Sequence, residues 1–437
     1  MSVDSYWLVL PALLLGVSAV SLVHFLLGRA LRSHVKGAIA TTILFIPILS
    51  FRHGQILLSL LLPALMAYRW YVPALAVATL CLLLVLRTDR RTLAAVHGAF
   101  NSMMALSLAI AAVPFIGRSL RSENAMAAEL HRIEFSGVAP EIQPPDIYYI
   151  ILDSYTGGQS LRRYWGFDNS GFLRALEHRG FYVAAESKSH YTSTVQSVAA
   201  SLNMDTLNRN VLPFDLVLHN EVVGYLRARH FEVYNLSPFD LEGAPRLYSY
   251  FTTTDGSSSG LDFFFNNTGI GCILSSIRVE SIPQQNIRTL MQLTRTVRES
   301  PAAPKFVYAH LMTPHGPFAL DSNGVVIPVL DRKGWRDTSA YLGQLIGTNH
   351  LVLPVIDSIL VHSRRDPIII VQGDHGSRML GGVEGVQESH AILNAYHLPR
   401  GGDKGLYASI SPVNSFRTVL NYYFSEKLPL RKDYSDE

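Results

Sequence analysis

From Asp4 to Asp89 the chain carries no acidic residue, and leucine, alanine, valine and isoleucine fill most of that interval. Long apolar runs cover residues 7–27, 37–51, 54–68, 71–86 and 100–117. A helix that crosses a bilayer needs about 20 apolar residues, with about 17 tolerable. The first run is long enough and the three middle ones are short. No basic region precedes the first run and further apolar segments follow it, so it does not read as a cleaved signal peptide. The expected organisation is a multi-span α-helical membrane domain over residues 1–120, a linker over 121–143 and a soluble domain over 144–437.

Basic residues set the expected orientation. Arg29, Arg32 and Lys36 follow the first run, and Arg87, Arg90 and Arg91 follow the run that ends at residue 86. Cytoplasmic loops are enriched in such residues. Placing both clusters in the cytoplasm requires an even number of crossings between them, so the three short runs make two helices. Four spans result, with the soluble domain outside the cytoplasm. Arg118 and Arg121 weigh the other way, and five spans would put that domain inside. The net charge of +3 gives no case for nucleic acid. Cys81 lies in an apolar run and Cys272 is alone in the soluble part, so no disulfide braces that domain.

The soluble part reads as strands alternating with helices. "IYYIIL" (147–152) is an unbroken apolar run of strand length, as in a parallel sheet covered on both faces; "KFVYAHL" (305–311) reads as a second strand, and the four branched residues Ile368–Val371, running into Gln372 and Gly373, as a third. A further short strand is expected within residues 389–399. "SGFLRALEHRGFYV" (170–183) reads as an amphipathic helix with Phe172, Leu173 and Leu176 inward and Gly180 as its stop. Residues 338–363 read as a long helix that Pro354 must kink or break. "TTTDGSSSG" (252–260) reads as a surface loop. The fold class is an α/β sandwich with a mostly parallel central sheet.

Ligands in such sheets bind beyond the carboxyl ends of the strands. There the chain offers Asp153 after the first strand, His310 and His315 at the second, and Asp374 and His375 after the third. Carboxylates with imidazole suit one divalent ion, zinc or manganese. The structural alternatives are a capped turn for the Asp-His pair and a core position for His310. Arg378 is placed to bind a phosphate bidentately, or simply to be solvated.

With "IYYIILDSYTG", "YTSTVQSVAASLNM", "FVYAHLMTPHGPF" and "IIIVQGDHGSR" in this order, residues 144–425 resemble the alkaline phosphatase and sulfatase superfamily. Several spans followed by this domain resemble lipoteichoic acid synthases and lipid A phosphoethanolamine transferases in particular. That resemblance implies Thr194 as nucleophile beside a metal held by Asp153, Thr194, Asp374 and His375. It also implies that His315 contacts the substrate phosphate or assists its leaving group, and makes His390 a candidate for the further histidine of that family. Thr156, Thr192, Ser193 and Ser197 are rivals for the nucleophile. The segment "SVAAS" (197–201) lacks the arginine of the formylglycine signature, and Ser154 stands where many sulfatases carry a second acid, which favours one metal.

The expected function is a transferase in the bacterial cytoplasmic membrane with its catalytic domain on the extracytoplasmic side. It would move phosphoethanolamine or phosphoglycerol from a phospholipid donor to an envelope lipid or glycan acceptor. A phosphate or sulfate ester hydrolase is the alternative, and a non-catalytic sensor with the same fold a further one. A transporter is disfavoured because the spans hold no acidic residue for ion coupling.

Overall fold

The computed structural model describes residues 18, 20–49, 88–89, 92, 95, 98, 133–136, 144–207, 211–247, 282–299, 301–328, 331–334 and 336–435. The chain divides into two compact units, Met1–Ser122 with Phe251–Val279, and Glu123–Tyr250 with Glu280–Glu437. In the first unit the described helices are Val20–Ala30 and His34–Leu49, with Arg32 at positive φ between them. The apolar runs 54–68, 71–86 and 100–117, and with them the expected number of spans, lie outside the described residues, as do most of the linker and the loop 252–260.

The second unit is built on six strands, β1 (Ile147–Leu152), β2 (Tyr182–Val183), β3 (Glu232–Leu236), β4 (Lys305–Leu311), β5 (Ile368–Gly373) and β6 (Asn394–His397). Their order across the sheet is β2-β6-β5-β1-β4-β3. β5, β1, β4 and β3 are parallel neighbours, while β6 runs antiparallel to β5 and to β2. The sheet is therefore mixed, with a parallel centre. Nine helices are described around it: α1 (Gly158–Trp165), α2 (Ser170–Glu177), α3 (Thr194–Asn203), α4 (Pro213–Leu218), α5 (Glu221–Ala228), α6 (Ile282–Arg298), α7 (Thr338–His362), α8 (Gly382–His390) and α9 (Pro412–Tyr423).

Successive strand residues point to opposite faces, and here both faces are covered. Ile147, Tyr149 and Ile151 of β1 join Tyr308, Ile370 and side chains of α3, α4, α5 and α9 in one core. Tyr148, Ile150 and Leu152 join Val307, Val371 and side chains of α1, α2, α6 and α7 in the other. That is why β1, β4 and β5 are apolar almost without interruption. All six residues of β1 are buried.

Two helix expectations need correction. The segment from Ser170 is helical only to Glu177, and Tyr182–Val183 leaves as the edge strand β2. Pro354 neither ends nor splits α7, which is continuous over 25 residues. Asp337 caps α7 by accepting from Ala340 N at 2.9 Å. Among the described residues α7 is the single helix long and apolar enough to cross a membrane. Tyr341, Leu345, Val352, Ile356 and Ile359 bury it in the domain core, so it is a core helix.

Candidate metal and nucleophile site

The parallel strands β1 and β5 are hydrogen-bonded neighbours, with Leu152 level with Gly373. The residues that follow them, Asp153 and Asp374–His375, therefore emerge side by side. All three are buried and their potential ligand atoms lie within 4.8 Å of one another. Backbone hydrogen bonds lock the two exits together: Ser154, at positive φ, donates its N–H to Asp374 Oδ1 at 2.9 Å. His375 N donates to the same oxygen at 2.8 Å. Asp374 Oδ2 is left buried with no hydrogen-bond donor.

Thr194 opens α3 and brings its hydroxyl to this cluster. Its Oγ1 lies 3.4 Å from Asp153 Oδ2 and 3.3 Å from His375 Nε2. His375 Nδ1 lies 2.7 Å from the Gly376 carbonyl, which is a pure acceptor. The ring proton is thus held at Nδ1, and Nε2 presents a lone pair to the cluster. That lone pair sits 3.4 Å from Asp374 Oδ2 and 3.8 Å from Asp153 Oδ1.

Lone pairs facing lone pairs in a buried site are relieved by a shared proton or by a cation. A tetrahedral ion with bonds of roughly 2.0–2.1 Å separates its ligand atoms by about 3.3–3.4 Å. The observed spacings of 3.3, 3.4 and 3.8 Å are close to that. The donor set fits one divalent ion held by Asp153, Asp374, His375 and Thr194 Oγ1. Burial opposes the ionisation of Asp153; positive charge on the rings of His315, His310 and His375 would reverse that and hold the carboxyl well below the usual range, and with those rings neutral a cation would have to supply the charge.

Around this centre the expected residues are distributed unevenly. His315 donates its backbone N–H to the Asp153 carbonyl at 2.9 Å, and its ring lies 6.5 Å from that of His375. Its Nδ1 is bonded to the Gly316 carbonyl at 2.6 Å, so Nε2 accepts from Arg378 Nη2 at 3.1 Å. Arg378 is exposed. His390 ends α8, bonds through Nδ1 to the Ser189 carbonyl at 2.7 Å, and stacks on Tyr434 with centroids 4.0 Å apart. It is not among the residues gathered on Asp153. Of the rival nucleophiles, Ser197 donates to the Tyr191 carbonyl at 2.9 Å. Thr156 donates to Glu388 Oε1 at 3.3 Å.

His310 is fully buried, as a core residue would be, yet its Nε2 lies 3.5 Å from Asp153 Oδ2. The Tyr308 hydroxyl lies 3.0 Å from His310 Nδ1. The period-2 alternation of β4 was the signal for this pair, because it puts Tyr308 and His310 on one face. A second group escaped the sequence altogether. Thr156 Oγ1 accepts from Ser377 N at 2.8 Å, and the Tyr341 hydroxyl lies 2.9 Å from Thr156 Oγ1 and 3.0 Å from the Ser154 carbonyl. Trp165 Nε1 donates to Glu388 Oε1 at 2.9 Å. These bonds tie the exit of β1 to the exit of β5 from behind. Burial pushes the Glu388 carboxyl up to about 7.

No family model matches the chain, and no curated protein matches it. Among solved structures it is similar to the C-terminal periplasmic domain of EcEptC from Escherichia coli in complex with zinc. The identity is 12%, the TM-score 0.46, and the match covers 67% of this chain and 86% of that one. It is similar also to the integral membrane lipooligosaccharide phosphoethanolamine transferase A (EptA) from Neisseria meningitidis. There the identity is 14%, the TM-score 0.43, and the match covers 82% of this chain and 70% of that one. A third likeness is to a protein in the alkaline phosphatase superfamily from Vibrio parahaemolyticus, at 13% identity and TM-score 0.42, covering 68% and 72%.

Proposed function

We propose that the protein is a metal-dependent transferase, anchored in the bacterial cytoplasmic membrane by several spans, with its α/β domain on the extracytoplasmic side. It moves phosphoethanolamine or phosphoglycerol from a phospholipid to an envelope lipid or glycan through a threonine ester. The observation that carries this reading is the Thr194 hydroxyl, buried at a helix start and 3.3 Å from the bare Nε2 of His375.

A threonine hydroxyl is a poor nucleophile at neutral pH. A divalent ion held by Asp153, Asp374, His375 and Thr194 would favour its alkoxide and offset charge on the phosphoryl oxygens. Thr194 Oγ1 forms the new bond to phosphorus, the bond from phosphorus to the diacylglycerol oxygen breaks, and the proton given up by Thr194 ends on that oxygen. In the second half the acceptor oxygen bonds to the same phosphorus, the bond from phosphorus to Thr194 Oγ1 breaks, and the acceptor's proton passes to Thr194. The first-turn N–H groups of α3 point their dipole at the transferred phosphate. Arg378 binds a phosphate oxygen, and the neutral His315 beside it holds the guanidinium in place.

The test is intact-mass and peptide analysis after incubation with vesicles of phosphatidylethanolamine and phosphatidylglycerol. A phospho-alcohol group on the peptide containing Thr194, absent from Thr194→Ala, is expected. Free phospho-alcohol released to water without any acceptor at a matching rate would favour the hydrolase reading, and no adduct under any condition would remove the threonine ester.

A further inference from the structure

Helix α6 has two unlike sides. Leu290, Leu293 and Val297 enter the core beneath the sheet. The opposite side presents Gln284, Ile287, Arg288, Met291, Arg295 and Arg298, all exposed. Their spacing keeps them on a single stripe of the helix. Three arginines fall in this helix and no acidic residue does. Amid those cations two apolar side chains face water, Met291 at 54% exposure and Ile287 at 37%. Ile287 and Met291 lie one helical turn apart, so they adjoin on this face.

We propose that this face of α6 docks on an anionic phospholipid surface. The charge fits phosphate: guanidinium groups bind phosphate oxygens bidentately and are weakly hydrated, so they give up water readily. The arrangement fits an interface too, since Ile287 and Met291 enter the acyl boundary while the arginine stems lie flat and keep their heads among the phosphates. An acidic protein surface would match the arginines in charge and leave the apolar pair without a counterpart. The docking deepens the membrane-anchored reading above, on which it rests, because it holds the catalytic domain against the lipid that supplies its substrate.

The experiment uses the full chain in lipid nanodiscs, with Cys81 and Cys272 replaced by serine and a fluorophore on Met291→Cys. Discs contain phosphatidylcholine alone or with phosphatidylglycerol, and the quencher is a lipid labelled just below its headgroup. Quenching at least twofold stronger in the anionic discs is expected. It should be reversed by high salt and lost in the triple variant R288Q/R295Q/R298Q. A label on Val361→Cys, exposed on α7, should report no lipid at all. Equal access of aqueous iodide to Met291→Cys in both discs would overturn the proposal. Shielding that is the same in both lipids and indifferent to salt would point to a protein occupant and overturn it as well. Adduct formation at Thr194 is read on the same samples. Adduct without docking sinks only the docking, and docking without adduct sinks only the threonine ester.

Discussion

The two oxygens of Asp374 differ: Oδ1 accepts from two backbone N–H groups, and Oδ2 is buried without a donor, free for the cation proposed above. Asp374→Asn keeps an acceptor for those N–H groups and weakens the ligand, so it should fold while binding zinc or manganese about 10- to 100-fold more weakly by calorimetry. Thr194→Ser keeps an oxygen at the cluster and should retain adduct formation at a reduced rate, which separates the nucleophile from a purely structural hydroxyl. Glu388 gives a prediction with a sign. Its carboxyl titrates near 7 in the fold against about 4.5 unfolded, so folding takes up a proton between those values. Stability is full below the unfolded value and falls as pH rises through the folded one. Glu388→Gln should therefore be more stable than the parent at pH 8, by about 3 kcal/mol at most, with most of the gain gone at pH 5 in thermal melts. At this scale the sequence was readable where chemistry and position coincide. Asp153, Asp374 and His375 sit at strand ends, where a polar pair has little other reason to follow an apolar run. Glu388 was invisible because its partners Trp165, Thr156 and Ser377 come from three separate segments.

At the scale of elements, the turn after β5 is the most constrained piece of backbone near the site. A Cβ on Gly376 would overlap the Glu388 carbonyl oxygen and come within 2.7 Å of the Ala391 carbonyl. Gly376→Ala must push the Asp-His turn away from α8. It should cost roughly 2 kcal/mol or more in stability and lower metal affinity in the same titration. Elements were legible in proportion to how fully they are covered. β1, β4 and β5 stand out because both faces are buried; the limits of β1 and β4 agree with the expected strands, and β5 continues past the apolar run through Gln372 to Gly373. β2, with two half-buried residues, and β3, which begins at an exposed Glu232, carry too little apolar pattern to be seen. Helix α8, "GVEGVQESH", holds two glycines, and only its cap on the Asp-His turn explains it. His390 was expected within a strand segment and instead closes this helix.

For the molecule as a whole, two buried aspartates face each other across the site, so the folded domain should bind a divalent ion that the unfolded chain does not. Chelation should lower the melting temperature, and zinc or manganese at a hundredfold excess over its dissociation constant should restore it. That excess is worth about 2.7 kcal/mol, or roughly 5 °C or more for a domain of this size. The sheet order adds a consequence in time. β1 lies in the centre, yet both its neighbours, β4 and β5, are made long after it, and the bond from Ser154 to Asp374 joins residues 220 apart. During synthesis β1 is an apolar strand with two open edges and nothing to pair with. An ion held as proposed could not serve as an early template, because Asp374 and His375 follow β5 and do not yet exist. Loading of the ion proposed above would then be a late event of biogenesis, one that waits for the synthesis of β5 and the turn after it.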